Sequence, residues 1–189
     1  GPFRWWIYES FLDNKAMDQF ATELVMMEGS TYDGGPAGFA MATQNDVPMA
    51  AKAQVLTKAF LGIEMKCARC HDAPFHPFKQ EELFGLAAML TGKDLELPQS
   101  SIARLGNAGR ESPVTISLVA GATITPHWPF PELSPGELPA SFQEDGRGMR
   151  EELAARLTAP ANRRFAEVIV NRLWQRYLGF GLVDPVDDW

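Results

Sequence analysis

The two cysteines of this 189-residue chain stand three positions apart, with a histidine directly after the second, in the pentapeptide Cys67-Ala68-Arg69-Cys70-His71. That is the spacing of a c-type haem attachment site. Two thiols one helical turn apart can each form a thioether to one of the two vinyl-bearing edges of the same porphyrin, and the adjacent histidine then lies under the iron as proximal ligand. With two Cys and three His placed at random in this chain, the chance expectation of such a pentapeptide is on the order of 10⁻⁴. Three other chemistries use the same residue types. A zinc site needs four ligands, and after these three only His76 and His127 remain, in no ribbon or finger spacing. A thioredoxin-like dithiol wants the pair at a helix start inside a βαβ pattern, whereas here it follows a helix pattern. A structural disulfide across two intervening residues closes too small a loop to stabilise much. Haem c is the leading cofactor, with zinc, a redox dithiol and structural cysteines as the alternatives.

The sixth iron position has several candidates. His76 is five residues from His71, a span of at most about 17 Å fully extended, and would have to pass around the haem edge. Met89 and His127 lie downstream on separate elements, and Met41 and Met49 upstream. A Met on an apolar helix stripe is ordinarily core, and a His in a Pro-rich loop is ordinarily surface. A thioether ligand would raise the reduction potential and a second imidazole would lower it.

The elements that must position these residues read mostly as helices. Phe3 to Leu12 carries Trp5, Trp6, Ile7, Tyr8 and Phe11 and is assigned as helix. Asp13 or Asn14 caps a second helix with Met17, Phe20, Ala21, Leu24 and Met27 on one stripe and Gly29 as its stop. Asp33-Gly34-Gly35-Pro36-Ala37-Gly38 lacks the flanking strand and Lys of a phosphate-binding loop and reads as a plain turn. The clearest helix has Asp46 as N-cap and Pro48 in its first turn, with Met49, Ala53, Leu56, Phe60 and Ile63 on one stripe while Lys52, Gln54 and Lys58 face away. Continued by the same steps, the stripe reaches Cys67 and Cys70, which would deliver both sulfurs from the buried side of a helix end. Pro74 and Pro77 interrupt, and a further helix runs from about Gln80 to Leu90, ended by Gly92.

Beyond it, Val114, Ile116 and Leu118 alternate with Thr115, Ser117 and Val119 in a strand-like run, with Ala122 to Thr125 as its partner across Gly121. Pro126-His127-Trp128-Pro129-Phe130-Pro131, with Pro135 and Pro139, reads as an irregular connector. Met149 to Leu157 is helical, and after Pro160 comes an amphipathic helix capped by Asn162, with Phe165, Ile169, Leu173, Trp174 and Tyr177 on its stripe and Gly179 as its stop.

Composition narrows the function. Hydrophobic residues make up 46% and charged residues 22%, the balance of a folded globular chain. The net charge of −7 would repel nucleic acid and an anionic membrane surface alike. No apolar run approaches the roughly 20 residues a spanning helix needs. No secretory signal is visible at Gly1-Pro2-Phe3-Arg4, and the chain has no initiating Met and opens inside an aromatic cluster, so it reads as a piece of something longer.

Phe60-Leu61-Gly62-Ile63, then Cys67-Ala68-Arg69-Cys70-His71-Asp72, Pro74-Phe75 and Leu86-Ala87-Ala88 resemble the haem segment of planctomycete-type cytochrome c proteins, large exported proteins of Planctomycetes and related bacteria. Asn162, Phe165-Ala166, Val170-Asn171-Arg172-Leu173-Trp174, Gly179, Gly181-Leu182-Val183 and Pro185-Val186-Asp187-Asp188 resemble the second domain such proteins carry. Asp13-Asn14-Lys15 and Asp18-Gln19-Phe20 extend the likeness to the start. Members often have a second His two positions after the haem His, and here that place is Ala73. The resemblance implies haem binding and electron transfer in an exported protein, with a suggestive association with polysaccharide and sulfatase systems.

Other residues carry weaker signals. Asp184, Asp187 and Asp188 could form a cation site, though carboxylates near turns are more often caps or solvated charges. The five tryptophans are read mainly as core. Arg69 is placed either on a haem propionate or in solvent. No nucleophile is paired with a base, and no convincing acid pair is present.

The sequence therefore predicts a mostly α fold. Residues 1–92 form a helical haem-binding core, 93–147 a loop-rich insertion with a short β-hairpin and a Pro-rich connector, and 148–189 the start of a C-terminal helical domain. The predicted function is a monohaem c-type cytochrome module carrying single electrons, more an electron-transfer protein than a catalyst. Cys67 and Cys70 are its anchors and His71 its proximal iron ligand, with Met89, His127 or His76 as sixth ligand. Redox proteins or a larger electron-transfer complex are the expected partners, and the periplasm or cell surface the expected location, because bacterial haem attachment normally follows export. The alternatives are a haem enzyme or gas-binding protein with an open sixth position, and a redox or structural subunit of a larger complex.

Overall fold

The stretch from Leu83 to Leu90 has no polar face, so a helix built from it must be covered all round. The computed structural model describes residues 1–30, 34–102, 114–133, 138 and 148–189, and in it every residue from Leu83 to Leu90 is buried. Among the described residues the helices are α1 (Pro2–Leu12), α2 (Met17–Met26), α3 (Ala37–Met41), α4 (Pro48–Leu56), α5 (Gln80–Thr91), α6 (Met149–Thr158) and α7 (Arg163–Leu178). A π turn over Thr57–Leu61 prolongs α4, and 3-10 turns occupy Cys67–Arg69 and Gln99–Ser101. Two short strands, β1 (Leu95–Glu96) and β2 (Thr123–Ile124), pair antiparallel with Leu95 opposite Ile124. The central helix is α5: α4, α6 and the small sheet pack on it, α2 packs on α6, and α7 lies over the π turn. The fold is mostly α, as predicted.

Helix ends follow the predicted chemistry in the second half of the chain. Gly92 and Gly179 adopt left-handed caps, and α7 begins directly after Asn162. The first half departs from it. The second helix starts after Ala16, and its left-handed cap is Met27, two residues before Gly29. Val47, not Asp46, precedes the first turn of α4, and its amide donates to Asn45 Oδ1 at 2.9 Å. The predicted turn around Gly34–Gly38 runs into α3, which begins at Ala37. Asp33, Pro135 and Pro139 lie outside the described residues.

Three further expectations are corrected. Lys52 does not face away: it is fully buried, with Nζ donating to Ala42 O at 2.7 Å and Thr43 Oγ1 at 3.1 Å, because the α3–α4 link folds over it. The run 114–119 keeps its inside–outside alternation but is not paired with 122–125. The partner of β2 is β1, brought alongside by α5. The stripe of α7 is buried at Phe165, which stacks on Phe60 at 5.6 Å, but Leu173, Trp174 and Tyr177 are exposed.

The buried residue of the outer half of α7 is instead Asn171. Its Oδ1 accepts from the amides of Leu182 (2.6 Å) and Val183 (3.1 Å), and its Nδ2 donates to Val183 O at 2.8 Å. One amide side chain thus folds the segment after Gly179 back onto the helix. Asn171→Ala removes the side-chain partner of three part-buried backbone groups, and urea unfolding is expected to show a loss of about 1 kcal/mol with an unchanged slope.

Candidate functional site

The helix leading to the pentapeptide stops at Gly62, whose φ of +62° favours glycine. Its carbonyl accepts the Trp189 amide at 2.8 Å, and a Cβ there would lie 3.0 Å from Trp189 Cδ1 and 3.1 Å from Val168 Cγ2. Ile63 and Met65 then point inward while Lys66 is exposed. This break ends the helical periodicity, so Cys67 and Cys70 are not on the buried side of a continuing helix. They flank a separate 3-10 turn in which Ala68 alone is buried. Cys67 is exposed, Cys70 is half-buried, and both are free thiols.

The turn is held by its neighbours rather than by its own packing. Arg69 Nη2 meets Asp46 Oδ1 at 2.8 Å and Nη1 donates to Ser101 Oγ, so its guanidinium belongs to a protein ion pair, neither free in solvent nor available to a propionate. A hydrogen bond from Ser100 and then the Arg69 guanidinium hold the Asp46 carboxyl below the usual carboxylate range. Gln80, buried at the start of α5, donates to the carbonyls of Ser101 and Arg69. Four residues beyond His71, Phe75 is 90% exposed, an apolar ring with little protein to cover it.

His71 is half-exposed, and its Nδ1 lies 2.7 Å from the carbonyl oxygen of Asp72. A carbonyl only accepts, so the hydrogen bond places the proton on Nδ1 and leaves the lone pair on Nε2. That tautomer is the one a metal-ligating histidine uses when its other nitrogen is held by a second group. Among the described residues no three His, Cys, Asp or Glu side chains converge as the ligands of a bare ion. Chelation needs convergent donors, whereas thioether formation at two edges of one macrocycle needs thiols that are separate and accessible. The residues present fit a haem on these grounds: two free thiols, an imidazole held at Nδ1 so that Nε2 is left to ligate, and an exposed apolar ring four residues on.

The other nominated residues are dispersed. Met89 is buried in the core on α5, nine residues beyond the Gln80 that touches Arg69, about 13 Å along the helix axis. His127 packs its ring against Gly85, where an added Cβ would meet ring atoms at 2.2 Å, and its Nδ1 is 3.0 Å from Thr125 O. His76 stacks on Phe78 and sets Nε2 3.5 Å from Asp188 Oδ2. Met41 is exposed and Met49 half-buried. Asp187 pairs with Lys58 at 3.1 Å and Asp188 lies 3.5 Å from His76 Nε2, so two of the three terminal aspartates face side chains of the protein. Trp6 stacks on Phe20, Trp128 meets Phe130 edge to face, Trp189 lies under Arg164, and Trp5 and Trp174 are exposed. Sequence reasoning missed Asp72 as a structural member of the site, since its partners Gln80 and Ser117 follow no local spacing.

Residues 1–94 match the family model PSCyt2, a protein of unknown function (DUF1549), and residues 149–189 match PSD1, a protein of unknown function (DUF1553). Both fit the planctomycete-type family that the motifs resemble. Comparisons with curated proteins and with solved structures give no match. Among the described residues no helix is long and apolar enough to cross a membrane.

Proposed function

We propose that this chain, matched at both ends by families of the planctomycete cytochrome type, is a monohaem c-type module that passes single electrons. The observation that carries the reading is the His71 imidazole held at Nδ1 with Nε2 free, immediately after two free thiols that do not converge on an ion. Cys67 and Cys70 would each add an S–H across one vinyl group, forming two thioethers with no net oxidation. His71 Nε2 would ligate the iron, and Phe75 would offer an exposed apolar ring to the macrocycle. Bound haem c supplies a one-electron iron couple, and outer-sphere transfer asks no acid, base or nucleophile of the chain. Redox proteins or a larger electron-transfer complex are the proposed partners, and the periplasm or cell surface the proposed location.

Produced with a haem-attachment system, the protein is expected to show a c-type α-band in a pyridine haemochrome spectrum and an intact mass raised by one haem. Their absence would end the reading. A second reading, a gas-binding or catalytic haem protein with an open sixth position, is favoured by one observation: Met89 is enclosed in the core and His76 is engaged with Asp188, so two of the three nominated sixth ligands are already occupied. Immediate stoichiometric binding of carbon monoxide to the reduced protein would select that reading, and its absence the six-coordinate carrier.

A further inference from the structure

A proton is kept on Nδ1 of a histidine by a carbonyl only if the peptide bearing that carbonyl is itself immobile. The peptide that bears the Asp72 carbonyl is held by the Ala73 amide, which donates to Phe78 O at 2.9 Å, and Asp72 itself is anchored from two distant parts of the chain. Its amide donates to Thr115 O at 2.9 Å. Its carboxylate Oδ1 accepts from the Gln80 amide, the first of α5, at 3.0 Å and from the Ser117 hydroxyl at 2.8 Å. The carbonyl of the same residue takes the His71 proton at 2.7 Å. Thr115 and Ser117 are exposed and lie on a segment outside the small sheet. The Ser117 hydroxyl, 45 residues along the chain from Asp72, reaches back to the carboxylate beside the pentapeptide.

We propose that Asp72 is the positioning residue for His71, and that the segment 114–118 is a working part of the haem site, an inference whose purpose rests on the haem reading above. By fixing the Asp72 carbonyl, Thr115, Ser117 and Gln80 select the tautomer with Nε2 bare and hold the plane of the ring. The same hydrogen bond makes Nε2 a stronger donor, which favours ferric iron and lowers the reduction potential.

The test uses the 189-residue chain, labelled with ¹⁵N and produced without haem attachment. The imidazole nitrogen shifts of His71 are expected to report Nδ1 protonated and Nε2 bare. In Asp72→Ala the population moves toward the Nε2–H form that free histidine prefers in water. Asp72→Asn retains the wild-type tautomer, because its amide oxygen accepts from the same two donors. Ser117→Ala, a surface change that leaves the fold intact, shifts the tautomer part of the way, and Ser117→Thr restores it. In haem-loaded protein Asp72→Ala raises the midpoint potential while the α-band is unchanged. A His71 found protonated at Nε2 in the wild-type chain, or tautomers unmoved by both Asp72→Ala and Ser117→Ala, would overturn the clamp. The clamp found intact in a protein that never acquires haem would support the positioning role and sink the haem reading, so the two failures are distinguishable.

Discussion

Chains carrying Cys67→Ser and Cys70→Ser together are expected to mature with no covalent haem: the c-type α-band disappears completely and the intact mass falls by one haem. A hydroxyl does not add to the vinyl group under conditions where a thiol does, so the effect is all-or-none. Each single variant keeps one thiol and is expected to carry one thioether, with its α-band displaced toward that of non-covalent haem. The geometry makes the result interpretable. Cys67 is exposed, Cys70 half-buried, and the turn is held by Arg69 and Gln80 rather than by either sulfur. Exposed substitutions away from special features change stability by no more than about 0.5 kcal/mol, so the double variant should fold with wild-type helical content. Loss of haem would then mean loss of attachment and not of the scaffold. The rival chemistries give opposite results in the wild type: a dithiol would cycle between free thiols and a disulfide without an α-band, and a zinc site would release metal when the thiols are blocked.

How much of this was legible depends on the range over which each signal acts. Local chemistry read well: Gly92 and Gly179 end their helices because a left-handed residue is needed where the next carbonyls turn away, and Asn162 stands where α7 begins. The pentapeptide was legible because haem attachment is a matter of spacing within five residues. What failed was extrapolation. The stripe of α4 was carried through Gly62 to the cysteines, although a glycine whose carbonyl and missing Cβ are both needed by Trp189 marks a break. Ala122 to Thr125 was paired with its sequence neighbour, whereas α5 brings Leu95–Glu96 alongside Thr123–Ile124. The tautomer of His71 was out of reach, since Ser117 and Thr115 are ordinary polar residues until folding sets them on Asp72. Exposure of Leu173, Trp174 and Tyr177 was equally hidden, because periodicity shows which residues share a face but not what covers it.

Lys52→Ala is expected to cost about 3 kcal/mol, the largest stability loss of any single change considered, because it removes a buried four-carbon stem and strands the acceptors that its ammonium satisfies. Nζ donates to Ala42 O and Thr43 Oγ1 and lies 5.9 Å from the centre of the Phe39 ring, so one side chain ties α3 and the link after it to α4. Among the described residues its partners are neutral oxygens and a ring face, not a carboxylate, and burial, followed by the Arg150 charge, pushes its pKa below the usual 10.5. The folded state therefore releases this proton at a lower pH than the unfolded chain does. Between the depressed value and 10.5 the unfolded state holds more protons, and stability must rise with pH across that interval. Lys58 runs the other way: its carboxylate partners Glu64 and Asp187 raise its pKa, so its contribution is complete below 10.5 and declines only above it. The alkaline rise below 10.5 therefore belongs to Lys52. Lys52→Met keeps most of the volume and removes the buried charge, and should stay within about 1.5 kcal/mol of wild type at neutral pH. Urea unfolding at a series of pH values from neutral to 10 should show the wild type gaining on Lys52→Met as pH rises. Parallel curves would mean that the ammonium is not desolvated, and a wild-type curve that falls relative to the variant would mean that it has a carboxylate partner.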